Sequence, residues 1–389
     1  MRNESCDIFC NVIDNYGDIG VCWRLARQLA NEHGLTVRLW VDDLVSFARL
    51  CPEADVALKT QQCRGVEVCL WYKEFPEVQP AELVIEAFAC KLPPSYIKAM
   101  AAQDHKPFWV NLEYLSAEDW VESHHKLPSP HPTLPLTKYF FFPGFTKQTG
   151  GLLLERDLLE RRDEFQSDTA QQQAFWRSIG MEIPAAETLK VSLFAYENAA
   201  LAGLFDAWAS GNQPVLCLVP EGRILPQVGQ YFGDAAPGFG KDYVQGCLHV
   251  RVLPFVEQER YDELLWACDV NFVRGEDSCV RAQWAGKPFI WQIYPQHDTV
   301  HLKKLEAFLM LYSKQLGRAA SEAVQCLWQS WNKGSGAGLA WPAFVAARGE
   351  LERHAQHWAR QLAENNLAFN LLDFSREIGR MRALKIEGQ

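Results

Sequence analysis

Short apolar runs rich in Val, Ile, Phe and Trp alternate with segments of helical periodicity along the first half of the chain. The runs fall at 6–13, 35–41, 66–72, 83–88, 108–112 and 139–144, with helical patterns at 19–32 and 117–124. Strands this apolar need cover on both faces, which predicts a parallel sheet with helices on each side. The second half repeats the style, with strand-like runs at 189–196, 214–220, 248–255, 270–273 and 288–294. Helical patterns at 199–209, 261–267 and 278–285 separate them. Between the halves, 153–186 is polar and charged but carries leucines at helical spacing, so it reads as a helical connection. Residues 116–143, rich in Pro and His, read as a long irregular loop after a first helical turn or two. One or two amphipathic helices are expected over 350–384.

The pattern predicts an α/β chain built from two Rossmann-like domains, spanning 1–165 and 187–365, joined by a helical connection at 166–186. A last helix, 366–389, is expected to pack back on the first domain. A length of 389 residues agrees, being too great for one ordinary core.

Composition narrows the partners. A net charge of −10 makes the chain a poor candidate for wrapping nucleic acid and a better one for meeting a basic partner. The 12 cysteines form no C-x-x-C pair and lie mostly in apolar segments, which predicts reduced, buried thiols and a cytoplasmic protein. No signal peptide and no stretch long enough to span a membrane is visible, so no membrane partner is expected. His124, His125 and His131 lack nearby Cys and regular ligand spacing, so they read as loop histidines and no metal is expected.

Two segments carry candidate chemistry. After the first strand comes Asp14-Asn15-Tyr16-Gly17-Asp18-Ile19-Gly20, followed by a helix with Cys22, Leu25, Ala26 and Leu29 on one face and Arg24, Arg27 and Gln28 on the other. The loop, with Tyr16, Gly17 and Gly20, has only the G-x-x-G part of a dinucleotide fingerprint and is not a P-loop. Asp14 and Asp18 would repel a phosphate; they suit a cationic or hydroxyl acceptor and a general base. Equally, Asp18 serves as a helix N-cap and Asp14 closes an Asx-turn. The second segment is Arg274-Gly275-Glu276-Asp277-Ser278, between a strand and a helix. A helix start offers free N–H groups to an anion, Arg274 adds charge for a diphosphate, Ser278 a hydroxyl, and Glu276 a partner for sugar hydroxyls or for Arg274. Here the local alternative is Asp277 or Ser278 as N-cap. Nearby, Phe194 and Phe255 suit the two faces of a planar base and Gln258 its edge.

Taken together these segments resemble the bacterial protein-arginine rhamnosyltransferases that modify elongation factor P, the EarP family. The likeness is carried by DNYGDIGVCWRLARQL from Asp14, SLFAYE from Ser192, YDELLW from Tyr261, FVRGEDS from Phe272, RAQWAG from Arg281 and WQIYPQ from Trp291. It implies a GT-B fold, with the two domains facing across a cleft. It also implies dTDP-β-L-rhamnose as donor, an arginine of elongation factor P as acceptor, and inversion without a metal or other cofactor. On that pattern Asp14, Asp18 and Glu276 are the functional carboxylates. Phe194, Tyr196, Phe255, Gln258, Arg274, Asp277 and Ser278 match donor-binding positions, with Gly275 at the turn. Asp18 is taken as the base and Asp14 as its orienting partner. Two other readings keep the same segments: a GT-B transferase of another nucleotide-sugar and acceptor, and a non-catalytic nucleotide-binding scaffold.

Overall fold

The computed structural model describes residues 4–13, 16–295 and 300–387. The chain forms two compact units, Met1–Arg156 with Leu362–Gln389, and Asp157–Gln361. The division therefore falls at Arg156, ahead of the position near 165 that the pattern suggested.

The first unit opens with β1 (Ser5–Cys10), α1 (Gly17–Asn31), β2 (Thr36–Val41), α2 (Leu44–Leu50), β3 (Thr60–Cys63) and β4 (Val66–Leu70). It continues with β5 (Leu83–Ala87), α3 (Pro94–Ala102), β6 (Phe108–Leu112), α4 (Trp120–His124), β7 (Pro128–Pro130) and β8 (Thr137–Phe141). The strands lie in the order β3-β4-β2-β1-β5-β6-β8-β7, parallel except for the two edges. Those edges are where the apolar pattern is silent. β3 is Thr-Gln-Gln-Cys, joined to β4 by the two-residue turn Arg64-Gly65, both at positive φ, the geometry that fits a tight hairpin. β7 is Pro-Ser-Pro, which only an edge accommodates, and it gives strand structure to part of a segment expected to be irregular. Phe9, Trp40, Val84, Tyr96 and Trp109 belong to one buried cluster of this unit.

Helix α1 departs from its simple two-faced reading. Arg24 and Gln28, on its polar side, are buried. The returning segment covers them: Gln28 Nε2 donates to the Leu154 carbonyl at 2.6 Å, and Arg24 pairs with Glu155 at 3.3 Å.

The second unit begins with α5 (Leu158–Ser167) and α6 (Thr169–Ser178), the latter capped by Asp168, which accepts from Ala170 and Gln171 N–H. Then come β9 (Leu189–Leu193), α7 (Leu201–Ala209), β10 (Val215–Pro220), α8 (Leu225–Phe232), β11 (Asp242–Gln245), β12 (Leu248–Leu253) and α9 (Gln258–Ala267). β13 (Val270–Arg274), α10 (Asp277–Ala285), β14 (Phe289–Gln292), α11 (Val300–Ser313), α12 (Arg318–Lys333), α13 (Ala337–Ala346) and α14 (Arg348–Leu362) complete it. Its sheet order is β11-β12-β10-β9-β13-β14, with β11 antiparallel. α5 belongs here because it packs on α9 and α10; Arg162 donates to the Trp284 carbonyl at 2.8 Å. α15 (Leu367–Glu387) lies with the first unit, anchored by the Leu152–Asn366 bridge. Gly151 is required there, since a Cβ would sit 2.1 Å from the Asn365 carbonyl oxygen. Among the described residues no helix is long and apolar enough to cross a membrane.

Candidate active site

Both sheets reverse their winding direction in the middle. In the first, the chain runs from β1 outward to β2 and later returns to β5 on the other side of β1. In the second, it runs from β9 to β10 and returns to β13. Ligands of open α/β sheets bind outside the carboxyl ends of strands at such a reversal. The glycine loop leaves β1 at the first; the residues from Phe194 and those from Arg274 leave β9 and β13 at the second.

In the first unit Asp18 lies in the opening turn of α1 and is only 3% exposed. Its Oδ2 accepts the Ile13 N–H at 2.9 Å, closing the strand-to-helix turn and fixing the carboxylate's orientation. It is not the N-cap: that position is Tyr16, which makes no side-chain cap bond. Asp14 and Asn15 lie outside the described residues. Gly17 begins the helix, and Gly20 donates its N–H to the Tyr16 carbonyl at 2.9 Å. Next to this loop, β5 ends in two successive non-glycine residues in the left-handed region, Phe88 and Ala89, both at φ 55°. Each costs roughly 1–2 kcal/mol relative to ordinary backbone, so something must hold them there.

In the second unit the guanidinium of buried Arg274 lies over two rings, 4.4 Å from the centre of Phe194 and 4.6 Å from that of Tyr196. Phe194, paired in the sequence reading with Phe255 around a base, thus carries the arginine on its face in this structure. Gly275 turns the chain at φ 61°, and its carbonyl accepts the Trp291 indole N–H at 2.7 Å. Glu276 is the N-cap of α10, without a side-chain cap bond, so neither Asp277 nor Ser278 takes that role. The Ser278 hydroxyl instead ties the turn, accepting from Arg274 N–H at 3.0 Å and donating to the Arg274 carbonyl. Gln258 Nε2 reaches Asp277 Oδ2 at 3.4 Å. Behind them Arg281 and Asp262 form a buried two-pronged pair, both bonds 2.7 Å, locking α10 to α9.

Phe194, Tyr196, Arg274, Gly275 and Ser278 are therefore brought together, with Gln258 and Asp277 as a pair beside them. Phe255 lies in the wall of a pocket of about 630 Å³ that also involves Phe175, Arg177, Arg251 and Arg260. Sequence reasoning missed Gln292, whose Oε1 accepts the Tyr196 N–H at 2.9 Å and whose Nε2 reaches the Glu197 carbonyl at 3.4 Å. Its signal was position alone, the last residue of the strand beside β13.

The three histidines each make their own local contact. His124 contacts the Trp120 carbonyl at 2.8 Å, His125 accepts from Phe142 N–H at 3.1 Å, and His131 accepts from Leu134 N–H at 3.1 Å. Burial holds His125 low, at about 4, so it is neutral near pH 7. The one cluster of metal-ligating side chains found among the described residues is Cys51, Glu53 and Cys63, at the β3 edge, where burial raises Cys51 to about 12.

The chain has the fold of the GT-B glycosyltransferases. A glycosyltransferase from Rickettsia africae shares it at 9% identity, covering 97% of this chain and 99% of that one with a TM-score of 0.51. More particularly, the chain belongs to the EarP family, the elongation-factor P (EF-P) rhamnosyltransferases, whose family model matches residues 6–376. The protein-arginine rhamnosyltransferase of Pseudomonas putida is 52% identical over 95% of this chain and 98% of its own length. That of Pseudomonas aeruginosa is 50% identical, with the same coverage. A solved structure described as the basis for EarP-mediated arginine glycosylation of translation elongation factor EF-P is 40% identical. It covers 96% of this chain and 99% of that one, with a TM-score of 0.69.

Proposed function

We propose that the protein transfers L-rhamnose from dTDP-β-L-rhamnose to an arginine side chain of translation elongation factor P, with inversion at the anomeric carbon. The observation that carries the reading is Arg274, lying over the rings of Phe194 and Tyr196 beside the start of α10, in a chain that belongs to the EarP family. A guanidinium lying over two aromatic rings and the positive end of a helix dipole are both suited to a diphosphate. Phe255 and Gln258 supply a ring face and an edge for the thymine, and Asp277 and Glu276 serve sugar hydroxyls.

The first unit supplies the acceptor side. An arginine guanidinium is a poor nucleophile because its charge is delocalised and it holds its protons. Asp18, fixed by Ile13 N–H, and Asp14 bind it, localise the charge and take a proton as the new bond forms. The nitrogen attacks the anomeric carbon, the C1–N bond forms, the C1–O bond to the diphosphate breaks, and dTDP leaves with the electron pair. Arg274 and the helix start stabilise that charge, so the reading requires no metal or other cofactor. A translation factor as acceptor places the reaction in the cytoplasm.

The test is mass spectrometry of elongation factor P after incubation with the protein and dTDP-rhamnose. The expected result is a gain of one deoxyhexose on one arginine. No gain with intact donor present would refute the reading. A free enzyme that binds UDP more tightly than dTDP would point to another nucleotide-sugar.

A further inference from the structure

The left-handed pair at the end of β5 is held by a specific device. The side chain of Asn111, almost fully buried on β6, accepts the Ala89 N–H at 3.0 Å. Its amide nitrogen donates to the carboxylate of Glu113. The Phe88 N–H is bound by the Leu112 carbonyl at 2.7 Å, and the Phe88 ring stacks on Tyr114, centres 4.5 Å apart and planes 20° from parallel. One buried amide thus ties together a strained turn, a half-buried carboxylate and, through the ring stack, a partly exposed tyrosine.

Position gives this device its meaning. β1, β5 and β6 are consecutive in the sheet, with Phe9, Glu86 and Asn111 in one register row. Neighbouring strands are about 4.8 Å apart, so the residues after β6 stand about 10 Å from the end of β1. The turn occupies the other side of the reversal from which the glycine loop departs. Backbone held in a sparsely populated conformation by a buried partner concentrates where a ligand must meet fixed geometry.

We infer that the Phe88–Ala89 turn, with Glu113 and Tyr114 mounted on it, is the wall of the first unit that grips the guanidinium of the acceptor. Glu113 gives the cation a carboxylate, Tyr114 gives its flat face an aromatic ring, and Asn111 is the positioning residue that aligns both. This rests on the acceptor being an arginine, as proposed above, and adds a binding wall to the carboxylates of the glycine loop.

The experiment is steady-state transfer to elongation factor P by the wild-type chain, Glu113→Gln and Ala89→Gly, with dTDP-rhamnose affinity and Tm measured on each. Glu113→Gln is expected to raise the acceptor KM about tenfold or more, with donor affinity unchanged. Ala89→Gly removes the Cβ that opposes positive φ, so it is expected to raise Tm while also raising the acceptor KM. A purely structural turn would gain stability and leave KM alone. An unchanged acceptor KM in both variants, or a loss of donor affinity equal to the loss of acceptor affinity, overturns the inference. A wild-type chain that transfers nothing removes the functional reading and this inference together; an active wild type with unaffected variants removes this inference only.

Discussion

The two strand-to-helix turns at the sheet reversals are built alike and differ in the charged groups they carry. After β1 the turn is closed by an acid: Asp18 reaches back to Ile13 N–H. After β13 it is closed by a hydroxyl: Ser278 reaches back to Arg274 N–H. In each case a side chain in the first turn of the following helix satisfies a backbone donor near the end of the strand, so the local architecture is the same. The charged groups differ: the described part of the first turn carries one carboxylate, Asp18, whereas the second sets the Arg274 guanidinium, over two rings, beside Glu276 and Asp277. The lesson is that this α/β frame sets where a ligand docks, and the identity of a few turn residues sets which charged groups meet it there.

The largest expected effect comes from Asp18→Asn. Asparagine keeps an oxygen for Ile13 N–H, so the turn survives while the charge and the proton acceptor are lost. Transfer is expected to fall about 10²–10⁴-fold with dTDP binding retained, measured by turnover and by calorimetry. Full activity in this variant would reduce Asp18 to a turn-closing residue, and the comparison would rest on Asp14 alone.

Next in size is Arg274→Ala. It removes the cation proposed to meet the diphosphate, so dTDP affinity is expected to fall roughly 10–100-fold. Titration of the free enzyme with dTDP checks this. Unaltered affinity would detach the Arg274 stack from the donor.

The smallest concerns acid. His125, beside the β7–β8 edge of the first unit, has its pKa lowered to about 4 from 6.5 by burial, so it is neutral when folded and takes up a proton on unfolding. Its contribution is complete above about pH 6.5 and is lost as pH falls toward 4, where the unfolded chain binds the extra proton. Denaturant midpoints should therefore drop between pH 6.5 and 5, and less steeply in His125→Asn. Identical slopes in both proteins would rule out this assignment.

Much of the frame was legible in the residues themselves. Runs such as Val215–Pro220 and Phe108–Leu112 are apolar on both faces because helices cover both sides, and continuous hydrophobicity is a local property of the chain. The two glycine turns were visible for the same reason: strand, glycine, acid and helix follow one another in sequence. Polar edge strands escaped notice, since β3 and β7 carry no periodic apolar face and exist only because a neighbour offers unpaired backbone groups.

What the sequence alone determined, then, was the succession of strands and helices and the charged residues at each turn, properties set by residues within a few positions of one another. Tertiary structure decided the rest. It buried Arg24 and Gln28 under a segment more than a hundred residues away, brought Arg274 over the rings of Phe194 and Tyr196, and used the Leu112 carbonyl and the Asn111 side chain to hold Phe88 and Ala89 in a conformation their own side chains disfavour. Those outcomes depend on partners distant in sequence, and no local pattern encodes which distant group will arrive to satisfy a buried charge or a strained peptide.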